Sequence, residues 1–528
     1  MIPTADSAIS PYGGFDIAQL LRLRAATRAD HPFVIWEPFE GDGEHLTYAE
    51  FEHRVRQCAA GMSARGIKPG DPVLIHLENC PEMLIAWFAC AYLGAIAVTT
   101  NARASAEELA YFADHSGAVA AITQPRFAGI VNASSRKMNW IVLIDHDNGV
   151  QVSIRDAPAA ADTFSALLGA AELAQNLPPD PARPIGVQYT SGTTSRPKGV
   201  LWTHANALWG AQVNALHEDL RAEDVHLIFL PLYHTNALAY SLLATLWAGA
   251  SAVLMPRFSA SRFWEVALKH RCTWTSLVPF CVKALMAVER PKQHHFRLWG
   301  SAVCSPPSDS VFGVKTIGWW GMTETMTHGT VGSVHLPNRP MSMGRPAPEY
   351  GIFVERDDGT PVDHGETGHL LVRGIRGLSL FHSYLHNPDA TAASYDERGF
   401  FRTGDRVTLH EDGFLQFADR DKDMLKVGGE NVAASEIERV VMEVRGVREV
   451  AVVGKPHPML DEVPVAFVIP DTSELIAAPH DLQRAILEAC RSRLASFKVP
   501  DEVRVVEDMP RATIEKVAKA TLRASLRG

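Results

Sequence analysis

Eleven consecutive residues, Tyr189-Thr-Ser-Gly-Thr-Thr-Ser-Arg-Pro-Lys-Gly199, carry five Thr and Ser hydroxyls, two glycines and two cations. Small residues let backbone N–H groups converge, and the hydroxyls and the Lys198 ammonium add further donors. A loop of this kind suits a polyphosphate. The same composition also makes an ordinary solvated Ser/Thr/Gly turn. It is not a Walker loop. Gly192 and Lys198 have that spacing, but Pro197 stands at the position of its second Gly and Gly199 at that of its Ser or Thr.

Further along, Gly321-Met-Thr-Glu-Thr325 sets a hydroxyl beside a carboxylate directly after Trp319-Trp320. By itself it reads as a helix start with Thr323 as N-cap. Thr403-Gly-Asp405 reads as a turn holding one carboxylate, and Lys426-Val-Gly-Gly-Glu-Asn431 as a hairpin turn followed by a capped helix. Lys516 sits in a basic tail after Pro510-Arg511, where a lone lysine is ordinarily a solvated side chain.

Taken in order, these stretches resemble the motifs of the adenylate-forming (AMP-binding) superfamily. It includes acyl-CoA synthetases, aryl-CoA ligases, luciferases and the adenylation domains of peptide synthetases. The resemblance runs from about Asp30 to Lys519. Thr-Thr-Ser-Arg-Pro-Lys-Gly-Val and Gly-Met-Thr-Glu-Thr are similar to bacterial carnitine/crotonobetaine-CoA ligases in particular, within a texture shared with fatty- and aryl-acid CoA ligases.

The resemblance implies a role for each matching residue. Thr190, Ser191, Gly192, Thr193, Thr194 and Lys198 would grip the β- and γ-phosphates of ATP. Gly300, Ser301 and Ala302 would form the adenine-side turn, with the usual Gly-Ala-Pro character altered. Trp320 would stack on adenine where the family usually has Tyr, beside Gly321 and Met322. Thr323 would offer its hydroxyl to the α-phosphate, and Glu324 would hold Mg²⁺, which favours one or two carboxylates plus phosphate oxygens. Asp405, an acceptor-only carboxylate, would take the ribose hydroxyls with help from Arg420, and Lys422 would be the hinge. Gly428, Gly429 and Glu430 would line the pantetheine tunnel of coenzyme A. Lys516 would be the catalytic cation of adenylation, next to Glu515 where Gly is usual. His234, in Phe229-Leu-Pro-Leu-Tyr-His234, reads equally as a packed core histidine or as a gate near the substrate carboxylate.

The elements that must position these residues read as α/β. In the first two thirds of the chain, short apolar strands alternate with helices, which predicts layered, largely parallel sheets with polar motifs at the strand ends. Strands are expected at 72–76, 95–99, 119–123, 225–230, 298–301 and 316–320. Helices are expected at 15–26, 80–94, 107–115 and 238–247, and another opens on the box Thr47-Tyr-Ala-Glu50. Ala- and Pro-rich 157–184 reads as surface cover. From about Met343 to Asp419, glycines and hairpin signals such as Asp358-Gly359 and Asp412-Gly413 predict a β-rich subdomain. The charged Asp419-Arg-Asp-Lys-Asp423 reads as a linker. The expected division is therefore a large ATP- and acyl-binding domain, 1–420, and a small mobile α+β domain, 421–528.

Composition bounds the rest. With 528 residues and 46% hydrophobic content there is material for several cores, and a net charge of −10 argues against a nucleic-acid surface. Seven scattered cysteines without a Cys-x-x-Cys pair predict neither disulfides nor zinc, and fit a reducing cytoplasm. The N-terminus lacks signal-peptide character, and the apolar run 83–98 is short of a membrane span.

The expected reaction is ATP-dependent acyl-CoA synthesis in two steps, through an acyl-adenylate, from a small carboxylic acid. Two rivals stay open: acyl transfer to a carrier protein, and a non-catalytic nucleotide or acyl-adenylate binder. The acid is not readable from a mixed pocket wall drawn from 233–238, Val303 and 326–328, and the oligomeric state is open, a homodimer among the options.

Overall fold

The computed structural model describes residues 10–526 except 136, 153–160, 170–172, 174–175, 191–196, 421–423, 473–478, 511–516 and 518. The chain divides into two compact units. The first comprises Met1–Ala102, Ala113–Tyr189 and Gly199–Asp419, the second Arg103–Phe112, Thr190–Lys198 and Arg420–Gly528.

Two large sheets organise the first unit. A nine-stranded sheet has at its centre the parallel run Thr316–Trp320, Leu298–Ser301, Trp274–Ser276, Val225–Ile228, Ser251–Leu254 and Pro32–Trp36. An eight-stranded sheet runs from Ser383–Tyr384 through Lys198–Thr203 and Pro184–Thr190 to Ile96–Thr99, Pro72–His76 and beyond. Strands of both are apolar because helices cover their faces. The Pro81–Leu93 helix shows how deep that cover goes: twelve of its thirteen residues are buried, Pro81 opens it and left-handed Gly94 (φ 68°) closes it. Among the described residues no helix is long and apolar enough to cross a membrane. The helix Tyr48–Ala64 carries the expected capping box between Thr47 and Glu50. A third, four-stranded sheet of Gly351–Glu355, Thr367–Arg373, Phe401–Leu409 and Leu415–Arg420 is the β-rich subdomain.

Three expectations change. Residues 161–168 are not surface cover: Ala161–Thr163 joins the eight-stranded sheet and Phe164–Leu168 is a helix burying Phe164 and Leu167. That helix lies so close to Gly61 that a Cβ there would stand 2.2 Å from the Leu167 carbonyl oxygen. The predicted helix at 238–247 is a π-helix, Asn236–Leu243, running into a short α-helix, Ala244–Ala248. Periodicity read as 3.6 cannot reveal the wider winding, which recurs near functional sites. No helix begins at Thr323.

The second unit is built on the long antiparallel pair Val447–His457 and Asp461–Pro470, with Glu502–Val505 parallel to the latter. Alternation sorts the side chains of the central strand. Ala466 and Val468 join one core with Val452, Ile437 and Ile486, while Val465, Phe467 and Ile469 join another with Val453, Met509 and Leu522. The hairpin of Met424–Val427 and Glu430–Ala433 extends this sheet.

Candidate functional site

All five residues of Thr316–Trp320 are buried, and the chain leaves this strand at Gly321. A Cβ at Gly321 would stand 2.3 Å from the Tyr240 hydroxyl oxygen and 2.5 Å from the Thr327 carbonyl oxygen, so only glycine fits. The next residues form a stapled turn instead of the helix that a Thr323 N-cap would start. The Thr325 hydroxyl accepts from Met322 N at 3.0 Å and also lies 3.0 Å from the Met322 and Thr327 carbonyls. Met326 takes a left-handed φ of 55° to complete it.

This turn holds Thr323 and Glu324 against the strand that follows the polar loop. Trp202, on Lys198–Thr203, donates its indole N–H to the Thr323 carbonyl at 2.9 Å. Tyr384 lies opposite Val200 in the antiparallel pairing and donates its hydroxyl to Glu324 Oε1 at 2.8 Å. Burial, then the neighbouring Glu324 charge, pushes the Tyr384 phenol far up, so it stays a donor. From the other side, the Thr235 hydroxyl donates to Gln188 Oε1 at 2.8 Å and lies 3.2 Å from the Thr323 hydroxyl. Gln188 is on Pro184–Thr190, the strand that enters the loop. Residues 47 to 121 positions apart thus fix one hydroxyl and one carboxylate beside both strands of the loop.

The sheet around this turn is cut to fit two tryptophans. A Cβ at Gly300 would come within 1.7 Å of the Trp319 ring and 2.4 Å of the Trp274 ring. A Cβ at Gly329 would come within 2.7 Å of the Trp320 ring. Ser301 is buried at the end of Leu298–Ser301, and Ala302 is half-buried in the bend after it. Trp320 donates its indole N–H to Asp405 Oδ2 at 2.8 Å. Asp405 is buried in Phe401–Leu409, and the turn expected at 403–405 is instead an irregularity within this strand, where Gly404 takes a φ of 75°, Asp405 N donates to the Thr403 hydroxyl at 3.1 Å and the register against Thr367–Arg373 shifts.

Behind Trp319 the chemistry differs. His328 is fully buried and stacks on Trp319 at 4.2 Å, with His217 at 5.6 Å. Its Nε2 lies 3.7 Å from Glu218 Oε1, and neither ring nitrogen makes a hydrogen bond within the described residues. Burial raises the Glu218 carboxyl well above the usual range and drops His328 well below its own, so both stay neutral.

His234 is half-buried with its ring edge-on to Tyr233 at 4.7 Å, just before the π-helix. Thr190 ends one loop strand and Lys198 begins the other. Arg420 ends the strand Leu415–Arg420. In the second unit, Gly428 (φ 57°) and Gly429 (φ 86°) make the two-residue turn of the hairpin, and Glu430 is buried with its carboxylate 3.2 Å from Arg103. Ser191, Gly192, Thr193, Thr194, Lys422 and Lys516 lie outside the described residues.

Sequence reasoning missed Gln188, Trp202, Thr235 and Tyr384. Thr235 and Trp202 lie inside or beside stretches already singled out. Tyr384 carries no signal, because a two-residue strand has no periodicity.

A family model described as AMP-binding enzyme matches residues 21–385, and one described as AMP-binding enzyme C-terminal domain matches 436–516. The chain is 30% identical over 530 aligned residues to a crotonobetaine/carnitine–CoA ligase of Salmonella heidelberg, covering 97% of this chain and 99% of that protein. Among solved structures, an o-succinylbenzoate CoA synthetase double mutant from Bacillus subtilis, bound to a product analogue, has a TM-score of 0.79. It is 26% identical, covering 96% of this chain and 98% of that one. A Mycobacterium tuberculosis fatty acyl CoA synthetase has a TM-score of 0.67 at 28% identity, covering 97% and 98%.

Proposed function

The chain belongs to the AMP-binding enzyme family, and on that premise we propose how its own residues divide the work. It is an ATP-dependent acyl-CoA synthetase: a carboxylic acid, ATP and CoA give acyl-CoA, AMP and pyrophosphate through an acyl-adenylate.

The observation that carries the assignment of roles is the clamp on Thr323 and Glu324, formed by Trp202 and Tyr384 at 2.9 and 2.8 Å. Trp202 ties the Thr323 backbone to the strand leaving the polar loop, and Tyr384, on the strand paired with it, holds the Glu324 carboxylate. In our reading the loop from Thr190 to Lys198 holds the outer phosphates, the Thr323 hydroxyl meets the α-phosphate, and Asp405 with Arg420 receives the ribose. The buried Glu324 carboxylate is the kind of hard oxygen donor that Mg²⁺ takes, and Tyr384 keeps it aimed. Bound there, Mg²⁺ supplies charge neutralisation to the phosphates. Little covalent chemistry falls to the protein, whose work is positioning and charge stabilisation as the acid's carboxylate attacks the α-phosphorus.

Residues 421–528 form, in this reading, the mobile domain. Lys516 serves adenylation, a hinge at Lys422 follows, and the Gly428–Gly429 turn then passes the CoA arm, since two glycines at positive φ present bare backbone. His234 gates the acid. The seven free, buried cysteines support a reducing, cytoplasmic setting.

The test has two parts. ATP–pyrophosphate exchange is measured across a panel of small carboxylic acids, then AMP release with and without CoA. Exchange with at least one acid, and AMP release that needs CoA, is expected. Exchange without CoA-dependent release would instead favour a carrier-protein acceptor, and no exchange with any acid would favour a non-catalytic binder.

A further inference from the structure

The indole of Trp320 has a partner of its own. Its N–H reaches Asp405 Oδ2 at 2.8 Å, with Trp320 and Asp405 only 7% and 2% exposed. The extra ring has space because position 329 is glycine, where a Cβ would stand 2.7 Å from Trp320 Cζ3. The neighbouring backbone is pinned as well, by Gly329 N donating to the Trp320 carbonyl at 2.7 Å.

We propose that Trp320 is a positioning residue for ribose recognition: its indole N–H fixes the Asp405 carboxylate in the orientation that accepts the ribose hydroxyls, so that this enzyme selects ribonucleotides through Trp320 as well as through Asp405. The inference rests on Asp405 being the ribose acceptor, as read above. A hydrogen bond to an ionised carboxylate in a buried setting is among the stronger ones. An ionised carboxylate accepts at about four lone-pair sites, so one indole N–H orients it without exhausting its capacity. A phenyl ring also stacks on adenine but carries no hydrogen-bond donor. Stacking alone would therefore leave ribose selection untouched by the loss of the indole nitrogen.

The experiment is calorimetric titration of the full-length protein with MgATP and with Mg-2′,3′-dideoxyATP, in the absence of acid and CoA. It compares wild type, Trp320→Phe, Asp405→Asn and the double variant, with a urea midpoint recorded for each. The Phe variant is expected to lose about tenfold of the preference for ATP over the dideoxy nucleotide, the loss of one charge-assisted hydrogen bond, with the affinity for dideoxyATP nearly unchanged. In the Asp405→Asn background the same substitution is expected to leave the preference unaltered, because the two residues act as one unit. Equal weakening of both nucleotides, or an unchanged preference, overturns the inference while leaving the ATP site intact. Failure of wild type to prefer ATP over the dideoxy nucleotide overturns the ribose reading of Asp405 and this inference together. Should the Phe variant fold poorly, Trp320→Phe combined with Gly329→Ala puts the same question, the added methyl group taking up space that the smaller ring vacates.

Discussion

Trp319 and Trp320 are neighbours on one strand, and alternation sends them to opposite faces of the sheet. Each sits where a glycine leaves room, Gly300 for Trp319 and Gly329 for Trp320. There the likeness ends. The Trp320 indole donates to Asp405, and the turn that follows it carries Thr323 and Glu324, the latter accepting from the Tyr384 hydroxyl. Trp319 faces His328 and Glu218, two titratable groups that burial keeps neutral. On the first face polar groups are hydrogen-bonded and oriented, and on the second burial keeps two titratable groups neutral. The first face should therefore respond to substitution in rate, and the second in stability.

The sharpest break is Glu324→Ala. It removes the carboxylate of the polar face and should lower ATP–pyrophosphate exchange by about a thousandfold, with a nearly unchanged urea midpoint. A comparable loss of fold and rate would erase the distinction between the faces.

Next is Gly300→Ala, which drives a methyl group into Trp319 and Trp274. Overpacking of this kind costs about 1–3 kcal/mol, which the urea midpoint should register as a fall.

Third is the pH dependence of Glu218→Gln. In the unfolded chain a glutamate ionises above about pH 4.3, whereas burial makes native Glu218 hold its proton well above that range. The native state then binds more protons than the unfolded one, and wild type loses stability as pH rises toward the folded pKa. Glutamine does not titrate. The variant's advantage in urea midpoint should therefore be smaller at pH 5 than at pH 8, and a constant difference would contradict the burial argument. His328 works in the opposite direction, its contribution falling away as pH drops below about 6.5, where the unfolded histidine takes up a proton that the native one refuses.

The smallest expected effect is Tyr384→Phe. It deletes one hydroxyl from the polar face and should cost about tenfold in exchange rate, one hydrogen bond to a charged group, with KM for ATP moving less than kcat. A pure KM effect would place Tyr384 in ground-state binding instead.

The chemistry was legible in the sequence because each motif packs its donors and acceptors into a few consecutive residues, and because the motifs come in a recognisable order. The α/β layering was legible for the same local reason: apolar strands and capped helices such as Tyr48–Ala64 announce themselves. The links between motifs were not. Trp202 meets Thr323 across 121 positions and Tyr384 meets Glu324 across 60, and nothing in either local pattern points to its partner. The helix expected after Thr323 fails because Gly321 is wedged beneath Tyr240 and the Thr325 side chain closes the turn first. The departure of residue 320 from Tyr was visible, but its reach to Asp405 is a property of the folded sheet.

The glycine opposite each tryptophan also sets the order in which the two positions can change. Gly329 is the imprint of the Trp320 ring. A scan of single substitutions would score alanine at 329 as harmful, yet a lineage that first shrank Trp320 to Tyr could accept that alanine at little cost. Once both changes were in place, return to Trp alone would be barred. The indole at 320 requires the bare backbone at 329, whereas glycine at 329 does not require the indole.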